Sequence, residues 1–361
     1  MATIEDSYDK VPKNKLKLSN VYLFRKIEKE TKEGIKIVVT LKDVAERAGV
    51  SITTVSRVIN NYGSLSEKTI NKVHEAMKEL NYQPNSLARG LQGKPSKIIG
   101  VIFPDVSNIF AGELVKYIEW DLFKAGYKMI LCSSADDIGK ERDYLRMLQA
   151  HQVAGVISAA IHPELEEYKL LNAPIVSFDR YLAQEVPIVG SDNYSGGKIA
   201  TEALIQSGAR KIGMITGLNR SNSPTKKRMT SFIGTVEASG LTPYLLKLEP
   251  HTSELLKRME IKNFLLNNQL EGVFTDDLTA LEVMNLAEEL AIPIPKELKI
   301  VGYDGTTFIR KYFPKLTTVK VPLKECVELL VNILIKRIEH PDYLFENNYT
   351  LPVSLHRGET C

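Results

Sequence analysis

Between Thr40 and Asn60 the chain reads TLKDVAERAGVSITTVSRVIN. Leu41, Val44, Ala45 and Ala48 recur at the three- and four-residue steps that gather apolar side chains on one helical face. Gly49 supplies a turn, and Ser51 can cap a second helix whose apolar face is Val55, Val58 and Ile59. Two short helices joined by a glycine turn are the sequence image of a helix-turn-helix. The small apolar residues let the helices cross closely, while Ile52 and Thr53, pointing outward at the start of the second helix, can reach base edges in a DNA major groove. Thr54, Ser56 and Arg57 can reach phosphates or bases. Arg57 can grip a guanine with two hydrogen bonds, whereas Ile52 can offer only apolar contact, as to a thymine methyl. Ser66 can cap a third helix, in which Ile70, Val73, Met77 and Leu80 recur, completing a compact all-α unit over about residues 40–84.

The charge distribution agrees with a polyanionic partner for this end. Residues 1–97 carry 18 Lys and Arg against 11 Asp and Glu, and the rest carry 29 against 33, although the whole chain of 361 residues is only +3. A basic end on an acidic body is the electrostatic pattern of a nucleic-acid-binding module joined to something else. Cys132, Cys326 and Cys361 are too scattered for a disulfide framework or thiolate metal site, and no pair of histidines has ligand spacing. No apolar stretch approaches the ~20 residues of a membrane span, and the start MATIEDSYDK lacks the regions of a secretory signal. These features predict a cytoplasmic protein without structural metal or membrane partner.

From Ile98 onward the periodicity changes. Short apolar runs at Ile98–Phe103, Lys128–Cys132, Val153–Ile157, Pro174–Phe178, Lys211–Thr216, Glu271–Thr275 and Lys299–Tyr303 alternate with helical segments. Continuous apolar strands between amphipathic helices predict parallel sheets covered on both faces, and residues 98–361 suffice for two such lobes with a ligand cleft at the strand ends. Polar residues come after several strands: Asp105 with Ser107, Asn108 and Phe110, then Asp179 and Arg180, Asp276 and Asp277, and Asp304. Carboxylates that each accept two hydroxyl protons, beside an arginine fork of donors, suit a ligand with many hydroxyls. A strand-end carboxylate can equally cap a helix, and Asp277 reads that way. Trp120, in a helical pattern with Leu114, Tyr117 and Phe123, reads as core or interface packing rather than a sugar platform. The body has no dinucleotide fingerprint, phosphate loop or nucleophile elbow, so an enzyme has no motif to stand on.

The segments Thr40–Ser51, Thr54–Asn60, Leu80–Asn85 and Ala88–Leu91 together resemble the signature and hinge of the lactose- and galactose-repressor family of bacterial transcription regulators. The resemblance runs from Thr40 to about Arg357 and implies a helix-turn-helix headpiece on an α/β, periplasmic-binding-protein-like body. The implied first lobe is about 98–190 and 321–348, the second about 191–320 and 349–361. It implies a homodimeric repressor on approximately palindromic operator DNA, with no catalytic residues and no cofactor beyond a small effector, a sugar or sugar phosphate. Lys42, Ser51, Asn60 and Tyr82 join the DNA-binding set named above. Residues 85–97 would form hinge and linker, with Asn85, Ala88 and Leu91 contacting DNA and Leu91 wedging into the minor groove. Asn85–Leu91, seven residues long, is too short for a stable isolated helix, so such a hinge folds only against a partner.

For the body, the resemblance puts Asp179, Arg228, Asp276 and Asp304 at effector-binding positions, with Asp105 and Phe110 near them. Asp276 departs from the asparagine of many sugar-responsive members. Ser177–Arg180, Ser191–Tyr194 and Asn222–Thr225 are similar to sucrose-operon members; a member answering to a purine or phosphoprotein corepressor stays open as an alternative. A sugar-binding transport protein would share the body but need an export signal. Residues 1–39 resemble nothing in the family, and their composition predicts a poorly ordered extension.

Overall fold

A computed structural model describes residues 39–60, 62–83, 96–159, 162, 165–217, 226–249 and 252–361. The expected hinge contacts Asn85, Ala88 and Leu91, the segment 222–225 and nearly all of the amino-terminal extension lie outside the described residues. The chain divides into two compact units, Met1–Gln92 and Gly93–Cys361.

The first unit holds α1 (Leu41–Ala48), α2 (Ile52–Ile59) and α3 (Glu67–Glu79). Thr40 and Asp43 form a reciprocal capping box at the start of α1, which ends on Gly49 at φ 67°, a left-handed turn that costs glycine nothing. Ser51 accepts the Thr54 amide and starts α2, and Ser66 does the same for α3 through the Thr69 amide. The core is small and built from all three helices: Val44, Ala45, Ala48, Val55, Val58, Val73 and Ala76.

In the second unit the first sheet comprises β1 (Ile98–Phe103), β2 (Lys128–Ser133), β3 (Gly155–Ser158), β4 (Ile175–Phe178), β5 (Ile188–Ser191) and, far along the chain, β11 (Asn348–Leu351). Their order is β11-β5-β4-β3-β1-β2, all parallel. Helices α4 (Ile109–Lys124), α5 (Ile138–Ala150), the short α6 (Glu167–Leu170) and α12 (Leu323–Glu339) belong to this lobe. The second sheet orders β12 (Ser354–His356), β10 (Thr317–Lys320), β9 (Lys299–Asp304), β8 (Gly272–Phe274), β6 (Ile212–Gly217) and β7 (Pro243–Leu248), with only β10–β12 antiparallel. Its helices are α7 (Asn193–Gln206), α8 (Lys226–Ala238), α9 (Glu254–Asn268), α10 (Asp277–Glu289) and α11 (Thr307–Tyr312).

The chain passes between lobes three times: from β5 to α7, from β10 to α12, and from β11 to β12. The last crossing falls after Leu351, because Asn348–Leu351 pair in register with Ile188–Ser191 and extend the first sheet. Apolar layers lie on both faces of each sheet, Val101, Ile157 and Val176 being fully buried in one and Val273, Ile300 and Val301 in the other. Trp120 is not in the core; it is 57% exposed on α4, with the Lys124 ammonium over its ring. Among the described residues no helix is long and apolar enough to cross a membrane.

Candidate functional site

On the headpiece, burying Val55 and Val58 turns the opposite face of α2 to solvent. Ile52 (50% exposed), Thr53 and Arg57 lie on that face, and Lys42 is exposed on α1. The polar neighbours are partly used locally. The Ser51 and Thr54 hydroxyls bond each other at 2.8 Å, and the Asn60 amide donates to the Ser56 hydroxyl at 3.2 Å. Tyr82 packs half-buried against the headpiece core.

In the body, Asp179 comes directly after β4, Arg228 lies in the first turn of α8, and Tyr303 and Asp304 end β9. Asn193, to which the sequence alone assigns no role, ties the first two together. Buried at the start of α7, it donates to Asp179 Oδ1 at 2.9 Å and accepts from Arg228 Nε at 2.5 Å. The Arg228 guanidinium lies over the Tyr303 ring, 3.6 Å from its centroid. The close packing needs Gly196 and Gly197: a Cβ there would sit 2.6 Å from the Tyr303 hydroxyl and 2.5 Å from the Arg228 carbonyl. The legible signal is the Asn-Tyr-Ser-Gly-Gly run itself, an unusual glycine pair inside a helix.

Burial raises the Asp179 carboxyl pKa against the pull of Arg228 and Arg180, and raises Asp304 well above the carboxylate range against the pull of Arg228. Burial opposes the charge on Arg228, but Tyr303, Asp304, Asp179 and Asp276 outweigh it and hold its pKa above the ordinary value. Asp304 has φ 116°, strained for a residue with a side chain. Arginine cations among buried carboxyls can offer both donors and acceptors to a polyol.

Other expected positions fall differently. Asp105 is exposed and closes its own turn, accepting the Ser107 amide (2.9 Å) and hydroxyl (2.6 Å), and these bonds lower its pKa. Phe110 packs at 6.1 Å, ring centre to ring centre, against Phe178, next to Asp179. Of the two neighbouring aspartates it is Asp276, not Asp277 as expected, that caps the helix. Asp276 caps α10, both its oxygens taking bonds from Thr279, whereas Asp277 is buried and accepts the Thr318 hydroxyl (2.5 Å) and the Gly305 amide (2.8 Å). Asp277 thereby anchors the turn that carries Asp304.

Burial pushes the Asp277 carboxyl up to about 7, despite those two bonds. In the unfolded chain the group titrates near ~3.9, so between roughly pH 4 and 7 the folded state holds a proton that the unfolded state has released. Its contribution to stability is therefore greatest below pH ~4 and is lost as pH rises through about 7. Asp277→Asn is expected to remove roughly 2 kcal/mol of the stability difference between pH 5 and pH 8. Urea unfolding at both pH values checks this; equal slopes in wild type and variant would mean that Asp277 ionises normally.

Beside Asp179 and Asn193 a cavity of about 550 Å³ opens between β5, β11 and the start of α8. Tyr181, Tyr194, Lys226 and Lys227 line it, so the two lysines face a concave surface. Among the described residues no cluster of metal-ligating side chains occurs.

Residues 40–85 match the bacterial regulatory proteins of the lacI family, 96–267 match the periplasmic binding proteins and sugar-binding domain of the LacI family, and 201–361 match a periplasmic-binding-protein-like domain. The chain is 51% identical over 322 residues to the sucrose operon repressor of Pediococcus pentosaceus, covering 89% of this chain and 99% of that one. Its structure is similar to a periplasmic binding protein/LacI transcriptional regulator from Alkaliphilus metalliredigens complexed with D-xylulofuranose (TM-score 0.66, 30% identity, 73% of this chain and 99% of that one). It is also similar to the lac repressor dimer bound to operator and an anti-inducer (TM-score 0.75, 26% identity, 90% and 99%).

Proposed function

We propose, from the premise that this chain belongs to the lacI family of bacterial regulatory proteins, that it is a cytoplasmic, homodimeric repressor of a sugar-utilisation operon and acts by binding rather than catalysis. Two headpieces related by a two-fold axis read an approximately palindromic operator. The observation that carries this reading is the polarity of α2: its valines are buried and Ile52, Thr53 and Arg57 are presented outward at the start and middle of the helix. Lys42 and the hydroxyls of Ser51 and Thr54 are the groups that would contact phosphate and orient such a helix. Arg57→Ala is expected to relax base preference at one position in each half-site by ~1–3 kcal/mol without altering the salt dependence greatly. Binding to a set of single-base operator variants at fixed salt measures it; a uniform loss across all variants would reduce Arg57 to a phosphate contact.

The effector is a sugar or sugar phosphate held by Arg228, Asp179 and Asp304, with Phe110 and Phe178 beneath. The adjoining cavity, about 550 Å³, has room for a second ring or a charged substituent, and Lys226 and Lys227 supply cations for the latter. The relatives named for sucrose operons support a carbohydrate of this size. A thermal-shift comparison of sucrose, fructose and glucose 6-phosphate, with operator binding then measured for each hit, tests the reading. Release of operator marks an inducer, tighter binding a corepressor, and no shift with any of them removes these sugars as effectors.

A further inference from the structure

Besides the three covalent crossovers and the Asn193–Asp179 bond beside one of them, a pair of hydrogen bonds far along the chain ties the lobes directly. Glu113, in the second turn of α4 on the first lobe, accepts the Thr307 amide on Oε2 at 2.8 Å and the Thr307 hydroxyl on Oε1 at 2.7 Å. Thr307 opens α11 on the second lobe, and 194 positions separate the partners in sequence. Tyr117, one turn along α4, donates to Glu113 Oε1 at 3.1 Å and holds the carboxylate in place.

On the other side, Thr307 lies three residues beyond Asp304. The intervening turn is held from two directions, by Asp277 on the Gly305 amide and by Arg310 Nε on the Gly305 carbonyl at 3.0 Å. Any shift of Asp304 is therefore passed to Thr307 with little slack. Both bonds of the pair converge on one residue at each end, so a small rotation of the lobes breaks them together. The contact is solvent-exposed, which lets water replace the lost partners at small cost. A tie of this kind suits repeated making and breaking rather than permanent support.

We propose that Glu113 and Thr307 form a reversible interlobe clasp that sets the balance between lobe arrangements, and thereby how strongly an occupied effector site alters the headpieces. A two-state element biased from both ends is what coupling between separated sites requires. Only the operator part of this inference rests on the repressor reading.

The test uses the full-length protein in Glu113→Gln, Thr307→Val and the double variant. Spin labels at Lys140→Cys and Glu237→Cys, exposed on first and second lobe respectively, report the interlobe distance in a Cys361→Ser background. Labelled chains are mixed with excess unlabelled chains so that only distances within one chain are read. Each single variant is expected to add a second distance population without any sugar, and the double variant to match the stronger single, since both remove one contact. Operator affinity without sugar should shift about 3- to 30-fold, in one direction for all three variants. Distance distributions that stay at wild type in both single variants would overturn the clasp. So would distances that move additively in the double variant, which would mean two separate effects. The distance readout needs neither DNA nor sugar, so failure of wild type to bind an operator would sink the repressor reading and leave the clasp still decided by distance.

Discussion

Replacing Arg228 by alanine is expected to lower effector affinity by about 100-fold or more while operator affinity without effector stays within about threefold of wild type. The guanidinium can give a polyol two charge-assisted hydrogen bonds, each ~1.5–3 kcal/mol, and the sum corresponds to roughly 10²- to 10⁴-fold. Its removal would normally strand buried carboxylates as unpaired charges, at a cost large enough to unfold the lobe. Here that cost is limited, because burial already raises Asp179 and Asp304, and losing the cation that pulls them back raises them further. Their neutral forms are favoured over unpaired buried charge. Calorimetric titration with the sugar that shifts wild type, beside operator binding, separates the two effects. Unchanged sugar affinity would place the effector away from Arg228, in the lysine-lined cavity for instance. Loss of operator binding together with the sugar response would show a fold defect.

The second large effect is the converse. Val55→Asp is expected to abolish specific operator binding, by about 10³-fold or more, while sugar binding by the body is unchanged. The headpiece core rests on one fully buried valine from each helix, Val44, Val55 and Val73, surrounded by alanines and Val58. A unit of this size buries too little surface to tolerate a carboxylate among them, which costs several kcal/mol against a marginal stability. The body is a separate compact unit and does not depend on those valines. Circular dichroism should show loss of helix equivalent to α1–α3, with the main thermal transition and the sugar-induced shift retained. Retained specific binding would mean that DNA contacts alone can refold the headpiece.

How much of the molecule is legible in its sequence depends on the range of the interactions involved. All three headpiece helices can be read because their determinants are local: Ser51 and Ser66 cap within three residues, and Gly49 takes its left-handed turn where it stands. The seven apolar runs correspond to β1–β4, β6, β8 and β9; six of these lie inside their sheets, where strands covered on both faces must be apolar throughout, and the seventh, β2, is an apolar edge strand with only Cys132 buried. The strands that escape such a reading lack that mark. β7 alternates in exposure at a sheet edge, β11 and β12 are edges, β5 is four residues ending in Gly-Ser, and β10 buries two threonines whose hydroxyls bond Asp277 and the chain end.

By itself the sequence determined the three-helix unit, the two-lobed α/β body and the kind of residue that gathers at the strand ends. Those features arise from periodicity and capping, which act over a few residues and survive whatever the distant chain does. Tertiary structure alone decided that Asp276 caps α10 while Asp277, one residue and about 100° farther round the helix, turns inward to hold the Asp304 turn. It alone joined Asp179 to Arg228 through Asn193, set Lys226 and Lys227 around a cavity, and brought Glu113 to Thr307. The Asp277 anchor arises within the second lobe from segments far apart in the chain, and the other three depend on how one lobe is turned toward the other, an orientation fixed by packing that no local pattern can encode.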